Sequence, residues 1–358
     1  MIKFKKSLIS AGFMALLIAN ATGAPATLTV VVGGGTLGDG QIKAIVEPFE
    51  KETGISVVRI KDQITFAQLK LAEETKTQSI DVMSFSPANG NAGYRAGYIQ
   101  PIDYSLYDKS DLDAINEKAK APWGIGKFYF ATVIAFSTAK FPDAANAPKT
   151  YQDVWDVKKF PGVRTLQSGQ AGDEGPWEEA LLADGVPVDK LYPIDIDRVF
   201  RSLDRIKPNV RRWWSVGSES MQLFGDGQAA LGMGLDGRMM ALTDAGKPVA
   251  FTYQQAKINA LYWGVPKGAP HPELAQKFIE FAMRPKQQAE MARLTGYAPV
   301  NQKAFQFLDP AFAKKLVSYP DNLKQAYFID PDWYAQKGAD GKTNAQRMVE
   351  RWNEWILK

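Results

Sequence analysis

Short apolar runs separated by helical patterns set the organisation of this chain. Residues 28–32 are a β-branched run that reads as a first strand, running into the glycine-rich turn Gly33-Gly34-Gly35-Thr36-Leu37-Gly38-Asp39-Gly40. A helix is expected over 41–54, capped by Asp39 and kinked or delayed by Pro48. Residues 55–60 and 80–85 read as the second and third strands, with helical patterns over 66–75 and 88–96. Strand and helix alternate, which predicts an α/β unit with a parallel sheet.

Two later runs, 128–136 and 260–265, are apolar without helix caps and are expected to cross from one lobe to another. Between them, strands at 163–166, 210–214 and 249–253 alternate with helices at 151–157, 177–184, 196–206, 218–224 and 238–245. The second lobe is therefore an insertion in the first. Lobe 1 is expected at 27–133 and 262–308 and lobe 2 at 134–261, with a hinge at the two crossing strands. Helices over 272–284 and 286–294 follow, and an aromatic-rich helical tail, 309–358, is expected to pack across both lobes.

One stretch organises the rest. Gly225-Asp226-Gly227 is a polar turn, the run from Gln228 to Leu235 reads as a buried strand, and Asp236-Gly237-Arg238 closes it with two opposite charges. That end of a strand is where ligands sit in open α/β sheets.

The N-terminus breaks the pattern. Lys3, Lys5 and Lys6 precede a short apolar core at 8–18 and small residues with Ala-x-Ala spacing, so 1–26 reads as a secretory signal peptide. The 358 residues contain no cysteine, which suits a disulfide-free periplasmic protein without a lipid anchor. The net charge of +4 is spread out, with no basic stripe for nucleic acid and no apolar run of membrane-spanning length.

Catalytic inventory is thin. The only histidine, His271, stands in a proline-flanked turn and is expected to be solvated; no metal spacing or nucleophile–base pattern surrounds it. Glu178 and Glu179, beside Trp177, are adjacent on a helix and read as a solvated face. Gly33-x-Gly35-x-x-Gly38 follows a strand like a dinucleotide fingerprint, but the matching acidic residue, Asp62, sits in a polar segment past the second strand. The glycines are read instead as a tight turn that clears room for a ligand, with backbone N–H groups at Gly34, Gly35 and Thr36 open to an acidic group. No cofactor or metal is expected. The nine tryptophans and thirteen tyrosines are a surplus, and Trp177, Trp214, Tyr262 and Tyr297 fall beside strand ends or loops that could wall a cleft.

Taken together, several pieces resemble the spermidine/putrescine-binding group of the extracellular solute-binding proteins of ABC importers. They include Phe49-Glu50-Lys51-Glu52-Thr53-Gly54-Ile55, Asp81-Val82-Met83-Ser84, Lys207-Pro208-Asn209-Val210-Arg211 and Gly225-Asp226-Gly227-Gln228-Ala229. Later come Val265-Pro266-Lys267-Gly268 and Gly296-Tyr297-Ala298-Pro299-Val300-Asn301. The resemblance implies a two-lobe periplasmic binding protein fold of type II, α/β, with a hinge of two crossing strands. It also implies a monomer that closes over one small solute and hands it to a membrane permease, and it implies no enzymatic activity. It places Tyr297 in the ligand wall, Ser86 at a polar position after the third strand, and Asp236 and Glu174 at acidic ligand positions.

The departures bear on the ligand. Glycines replace the first-loop aromatic, Leu261 stands where a carboxylate is expected, and Arg238 adds a positive charge that favours carboxylate over amine. Two ligand readings follow. One is a polyamine-like cation held by Asp236, Glu174 and aromatic faces. The other is a small carboxylate or zwitterion held by Arg238 with Ser84, Ser86 and the 33–36 backbone. An exported hydrolase and a scaffold module are the remaining function classes.

Overall fold

A computed structural model describes residues 27–62 and 64–358. The expected signal peptide lies outside the described residues. β1 (Thr27–Val31) pairs in parallel with β2 (Ser56–Ile60), and Val30 bridges Val82 just before β3 (Met83–Phe85). β3 runs antiparallel to a late strand, and a short β4 (Lys120–Ala121) leads into β5 (Gly124–Ser137). β6 (Arg164–Gln167), β7 (Val210–Trp214) and β8 (Leu231–Leu235) follow, then β9 (Val249–Gly264) and β10 (Tyr327–Phe328). The larger sheet runs in the order β10-β9-β5-β8-β6-β7, with β3 on β9 and β4 on β5.

β5 and β9 are the spine of the two-lobe α/β fold. They pair antiparallel from Ile125↔Trp263 to Ser137↔Val249, with register shifts between Gly126 and Phe128 and between Thr132 and Ile134. Thirteen of the fourteen β5 residues are buried, as expected of a strand covered on both faces. At one end β9 carries β3 beside it, and at the other β5 carries β8. Both long strands thus serve both halves. The expectation of separate strands at 249–253 and 260–265 is corrected: they are one strand. The polar Thr252–Lys257 stretch, which hid the continuity, absorbs a local distortion at Gln255, whose φ is 59°.

The first helix is also corrected. It begins at Gly35, not near Gln41, continues through a wider π turn at Ile42–Val46, and resumes as Glu47–Thr53. Pro48 is tolerated because the π turn precedes it and frees its missing N–H. Asp39 lies inside the helix and pairs with Lys61 at 3.0 Å rather than capping. Gly54 ends the run at φ 72°. The helix that opens β8's far end starts at Asp236 itself, as Asp236–Asp244.

Two apolar cores flank the spine. One gathers Leu28, Val30, Phe49, Trp263, Phe278 and Phe281, with Phe49 edge-on to Phe278 and Phe281 at 5.1 and 5.5 Å. The other holds Leu166, Trp177, Phe200, Trp214, Leu231 and Trp352. Each buried large side chain contributes about 1.5–3 kcal/mol. The C-terminal segment touches both halves. Helix Asn344–Ile356 buries Trp352 against Trp177 and Trp213, while Asp332 accepts hydrogen bonds from Asn91 and Arg95. Among the described residues no helix is long and apolar enough to cross a membrane.

Candidate functional site

β8 delivers Leu235 opposite Thr132 of β5, so the helix start at Asp236 lands beside the spine. Asp236 is 3 % exposed, and its Oδ1 accepts from Ala131 N at 3.1 Å and Gly237 N at 2.8 Å. Burial pushes its carboxyl up to about 7, against the pull of those N–H donors and of Tyr253. Asp236 Oδ1 therefore fastens the start of this helix to the crossing strand. Two residues on, Arg238 is exposed and has neither hydrogen bond nor ion pair among the described residues.

Gly237 packs against the segment before Tyr297, its Cβ position 3.7 Å from Gly296 O, so the helix start that carries Arg238 adjoins an aromatic group. Tyr297 stacks on Phe128 with ring centroids 4.3 Å apart and meets Phe130 edge-on at 6.4 Å. Burial raises the Tyr297 phenol, and the Arg238 charge draws it back down. Phe128 and Phe130 lie two apart on β5, hence on one face. The sequence marks 128–136 as a crossing strand; the i, i+2 aromatic repeat is the signal in it for the aromatic face.

The glycine turn follows the carboxyl end of β1, which runs parallel beside the residues leading into β3. Gly33 and Gly35 have φ of 74° and 61°, and a Cβ on Gly38 would meet Gly33 O at 1.9 Å. The turn is thus closed by glycine alone. Gly34, Gly35 and Thr36 are exposed. Ser84 Oγ accepts from Lys127 Nζ at 2.8 Å, and Ser86 Oγ caps the helix Pro87–Arg95 by accepting from Asn89 N at 3.3 Å.

Four other expected site residues are placed elsewhere. Trp177 and Trp214 are 0 % and 1 % exposed, and their indole N–H groups donate to Gly172 O at 2.7 Å and Met233 O at 3.1 Å. Both are packing residues, because a tryptophan with its N–H satisfied by backbone is at home in a core. Tyr262 packs on Trp123 at 5.1 Å, gives its hydroxyl to Lys118 O, and borders a cavity of about 690 Å³ between helix Pro87–Arg95 and Asp330. Glu174 is half-buried, and burial, then the Asp173 charge, pushes it up to about 7 while Lys257 opposes.

The solvated reading of Glu178 and Glu179 is overturned as well. Both are 0 % exposed, with Lys257 Nζ 3.0 Å from Glu178 Oε2 and 3.1 Å from Glu179 Oε2. Tyr334 adds a hydroxyl donor to Glu178 at 2.6 Å, and Tyr192 another. A buried carboxylate pair is tolerable only with such partners, and the sequence did not show that Lys257 would reach them. His271 is not simply solvated either: its backbone N donates to Asp81 Oδ1 at 2.7 Å, and its ring lies 3.5 Å from Asp81 Oδ2.

What these groups can do is bind. Among the described residues no cluster of His, Cys, Asp or Glu could hold a metal ion. An unpaired guanidinium beside a stacked aromatic wall suits a small solute with a planar anionic end.

Comparison with known proteins agrees. Residues 44–321 match the model of the bacterial extracellular solute-binding protein family. The chain is 28 % identical over 337 residues to a gamma-aminobutyric acid-binding protein of Pseudomonas aeruginosa, covering 93 % of this chain and 91 % of that one. It is 27 % identical over 286 residues to a spermidine/putrescine-binding periplasmic protein of Salmonella typhimurium, covering 77 % and 79 %. The solved Atu4243–GABA receptor superposes with a TM-score of 0.81 at 34 % identity, over 92 % of this chain and 97 % of that one. The chain belongs to the bacterial extracellular solute-binding proteins, the non-enzymatic substrate-binding components of ABC transporters.

Proposed function

We propose that this protein captures a small zwitterionic or carboxylate-bearing solute between its lobes in the periplasm and delivers it to an inner-membrane permease. The lobe inserted at 134–261 and the lobe formed by 27–133 and 262–308 would close about β5 and β9. The single observation that carries the ligand class is Arg238, exposed and unpaired among the described residues, on a helix start whose Gly237 packs on Gly296 before Tyr297. At 4 Å a ligand ammonium would be repelled by that charge by about 1–4 kcal/mol, depending on how far water is excluded. A carboxylate would gain by a similar amount and could bond the guanidinium in bidentate fashion.

The polyamine reading needs free carboxylates at the same place. Asp236 Oδ1 is occupied by two backbone N–H groups, and burial with the Asp173 charge pushes Glu174 toward its neutral form. The likeness to a gamma-aminobutyric acid-binding protein over most of both chains points the same way.

Calorimetric titration with gamma-aminobutyrate, putrescine, spermidine and a panel of short organic acids tests the reading. Gamma-aminobutyrate and putrescine share a four-carbon chain and differ at one end, so their ratio isolates the carboxylate. Arg238→Ala should weaken carboxylate binding by about 10- to 150-fold, the worth of a charged hydrogen bond of about 1.5–3 kcal/mol. Tight putrescine binding that survives Arg238→Ala, with no acid bound, would overturn it.

A further inference from the structure

The crossing strands have two faces, and Tyr297 and the C-terminal tail lie on opposite ones. Phe128 and Tyr129 are neighbours on β5, so their side chains leave opposite faces. Phe128 carries the Tyr297 ring, while Tyr129 meets Phe328 of β10 edge-on at 5.4 Å. On β9, Ala260 pairs with Tyr129, so Tyr262, two residues on, shares the Tyr129 face. Tyr262 packs on Trp123, and Trp123 fills the space beside Gly90, where a Cβ would meet the indole at 1.9 Å. Helix Pro87–Arg95 and the tail therefore cover the face turned away from Tyr297.

On that covered face the two elements meet through one polar contact. Asp332 Oδ1 accepts from Asn91 Nδ2 at 3.1 Å and from Arg95 Nη2 at 3.4 Å. Asn91 is held to the first core, since its Oδ1 accepts from Trp123 Nε1 at 2.7 Å. The tail is held to the second. β10 pairs with β9 at Lys257 and Ile258, Tyr334 donates its hydroxyl to Glu178 at 2.6 Å, and Trp352 packs on Trp177. Cavities flank the contact: one of about 690 Å³ bordered by Asn91, Tyr262 and Asp332, and one of about 530 Å³ bordered by Arg95, Tyr192 and Asp332. Arg95 and Asp332 are both exposed. Elements that meet through exposed polar groups beside cavities part at little cost.

We propose that Asp332, with Asn91 and Arg95, is a latch behind the hinge that holds the lobes open. When two bodies close about a ribbon of two strands, the inner face shortens and the outer face lengthens. A solute seated at Tyr297 and Arg238 draws the lobes together on its own face. The Asp332 contact, on the opposite face, then has to stretch and release. Gly34, Gly35, Thr36 and Arg238 are exposed in this form, as they are before closure. Solute binding therefore works against the latch, and the apparent affinity is the intrinsic one reduced by the fraction of molecules free to close. The inference deepens the reading above by adding a control on closure. It rests on the closing of two lobes over the Tyr297 face, not on the charge of the ligand.

The test is calorimetric titration of Asp332→Ala and Arg95→Ala with gamma-aminobutyrate, putrescine, spermidine and the short organic acids. Asp332→Ala loses both hydrogen bonds and should tighten the binding of each solute that the wild type binds by about two- to tenfold. Arg95→Ala should tighten it by a smaller factor. The factor should be the same for all solutes, because the latch touches none of them. Both side chains are exposed, and Asp330 supplies the cap of the helix Pro331–Ala335, so neither change threatens the fold. Exchanging the charges, Arg95→Asp with Asp332→Arg, should bring the affinity back toward that of the wild type. Unchanged or weaker binding in Asp332→Ala overturns the inference, as does a factor that differs between solutes. Acid binding that depends on Arg238 but does not tighten in Asp332→Ala sinks this inference alone. A preference for putrescine sinks the carboxylate reading and leaves the latch to be judged on the same factor.

Discussion

Lys257 Nζ stands 3.0 Å from Glu178 Oε2, and neither side chain is more than 1 % exposed. The contact joins the middle of β9 to the helix Trp177–Ala183, with Glu179 as a second carboxylate on the same ammonium. Burial lowers the Lys257 ammonium, but the two carboxylates outweigh it and hold it above its usual range. Burial likewise raises Glu179 against the pull of Lys257. A lysine on a strand shared by both lobes is thereby the anchor of a helix in one of them.

Lys257→Met should destabilise the protein by about 3–5 kcal/mol, because it leaves two carboxylates in a dry site without their cation. The same change made together with Glu178→Gln and Glu179→Gln should recover a large part of the loss. Denaturant melts of the three proteins measure this. A single variant as stable as the wild type would mean that the cluster does not stay charged.

Stability should fall as pH rises from about 4 to about 7. Asp236 and Glu174 are pushed up to about 7, above the ordinary carboxylate range, so the folded state binds their protons more tightly than the unfolded state. Their favourable term is complete below the unfolded pKa and is lost as pH climbs through the folded one, at up to about 1.4 kcal/mol per pH unit for each group. Asp236→Asn keeps an oxygen for Ala131 N and Gly237 N and should flatten the curve. Thermal melts between pH 4.5 and 8 should show a shallower slope for the variant.

Trp214 and Tyr297 should separate packing from binding. Trp214→Ala empties a filled core site and should cost about 3–5 kcal/mol, with solute affinity little changed wherever the protein remains folded. Tyr297→Ala strips the half-buried ring from the stack on Phe128 and should weaken solute binding more than it lowers stability. Paired melts and titrations give the comparison, and equal effects of the two changes on affinity would put Trp214 back in the site.

Gly38→Ala should destabilise the turn after β1 by about 1–3 kcal/mol, since the added methyl meets the backbone carbonyl of Gly33 and cannot be relieved by a rotamer. The same variant should weaken solute binding by displacing Gly34 to Thr36. A titration with NAD should remain flat in both proteins, because the glycines serve a turn.

The alternation of strand and helix, the two crossing strands, and the position of β7 at 210–214 follow from local pattern: period, turn residues and β-branched runs report on the backbone next to them. The aromatic cluster Phe128, Phe130 and Tyr297 draws on residues some 170 positions apart, so no window of sequence contains it. The fate of the charges was equally non-local. Asp236 and Arg238 look alike in sequence, yet one is buried under two N–H donors and the other is exposed. Glu178 and Glu179 are buried only because Lys257, some eighty residues on, meets them. Trp177 and Trp214 went to the core for the same reason: whether a side chain meets solvent, solute or core depends on which elements fold over it, and that is fixed only when the long strands bring distant segments together.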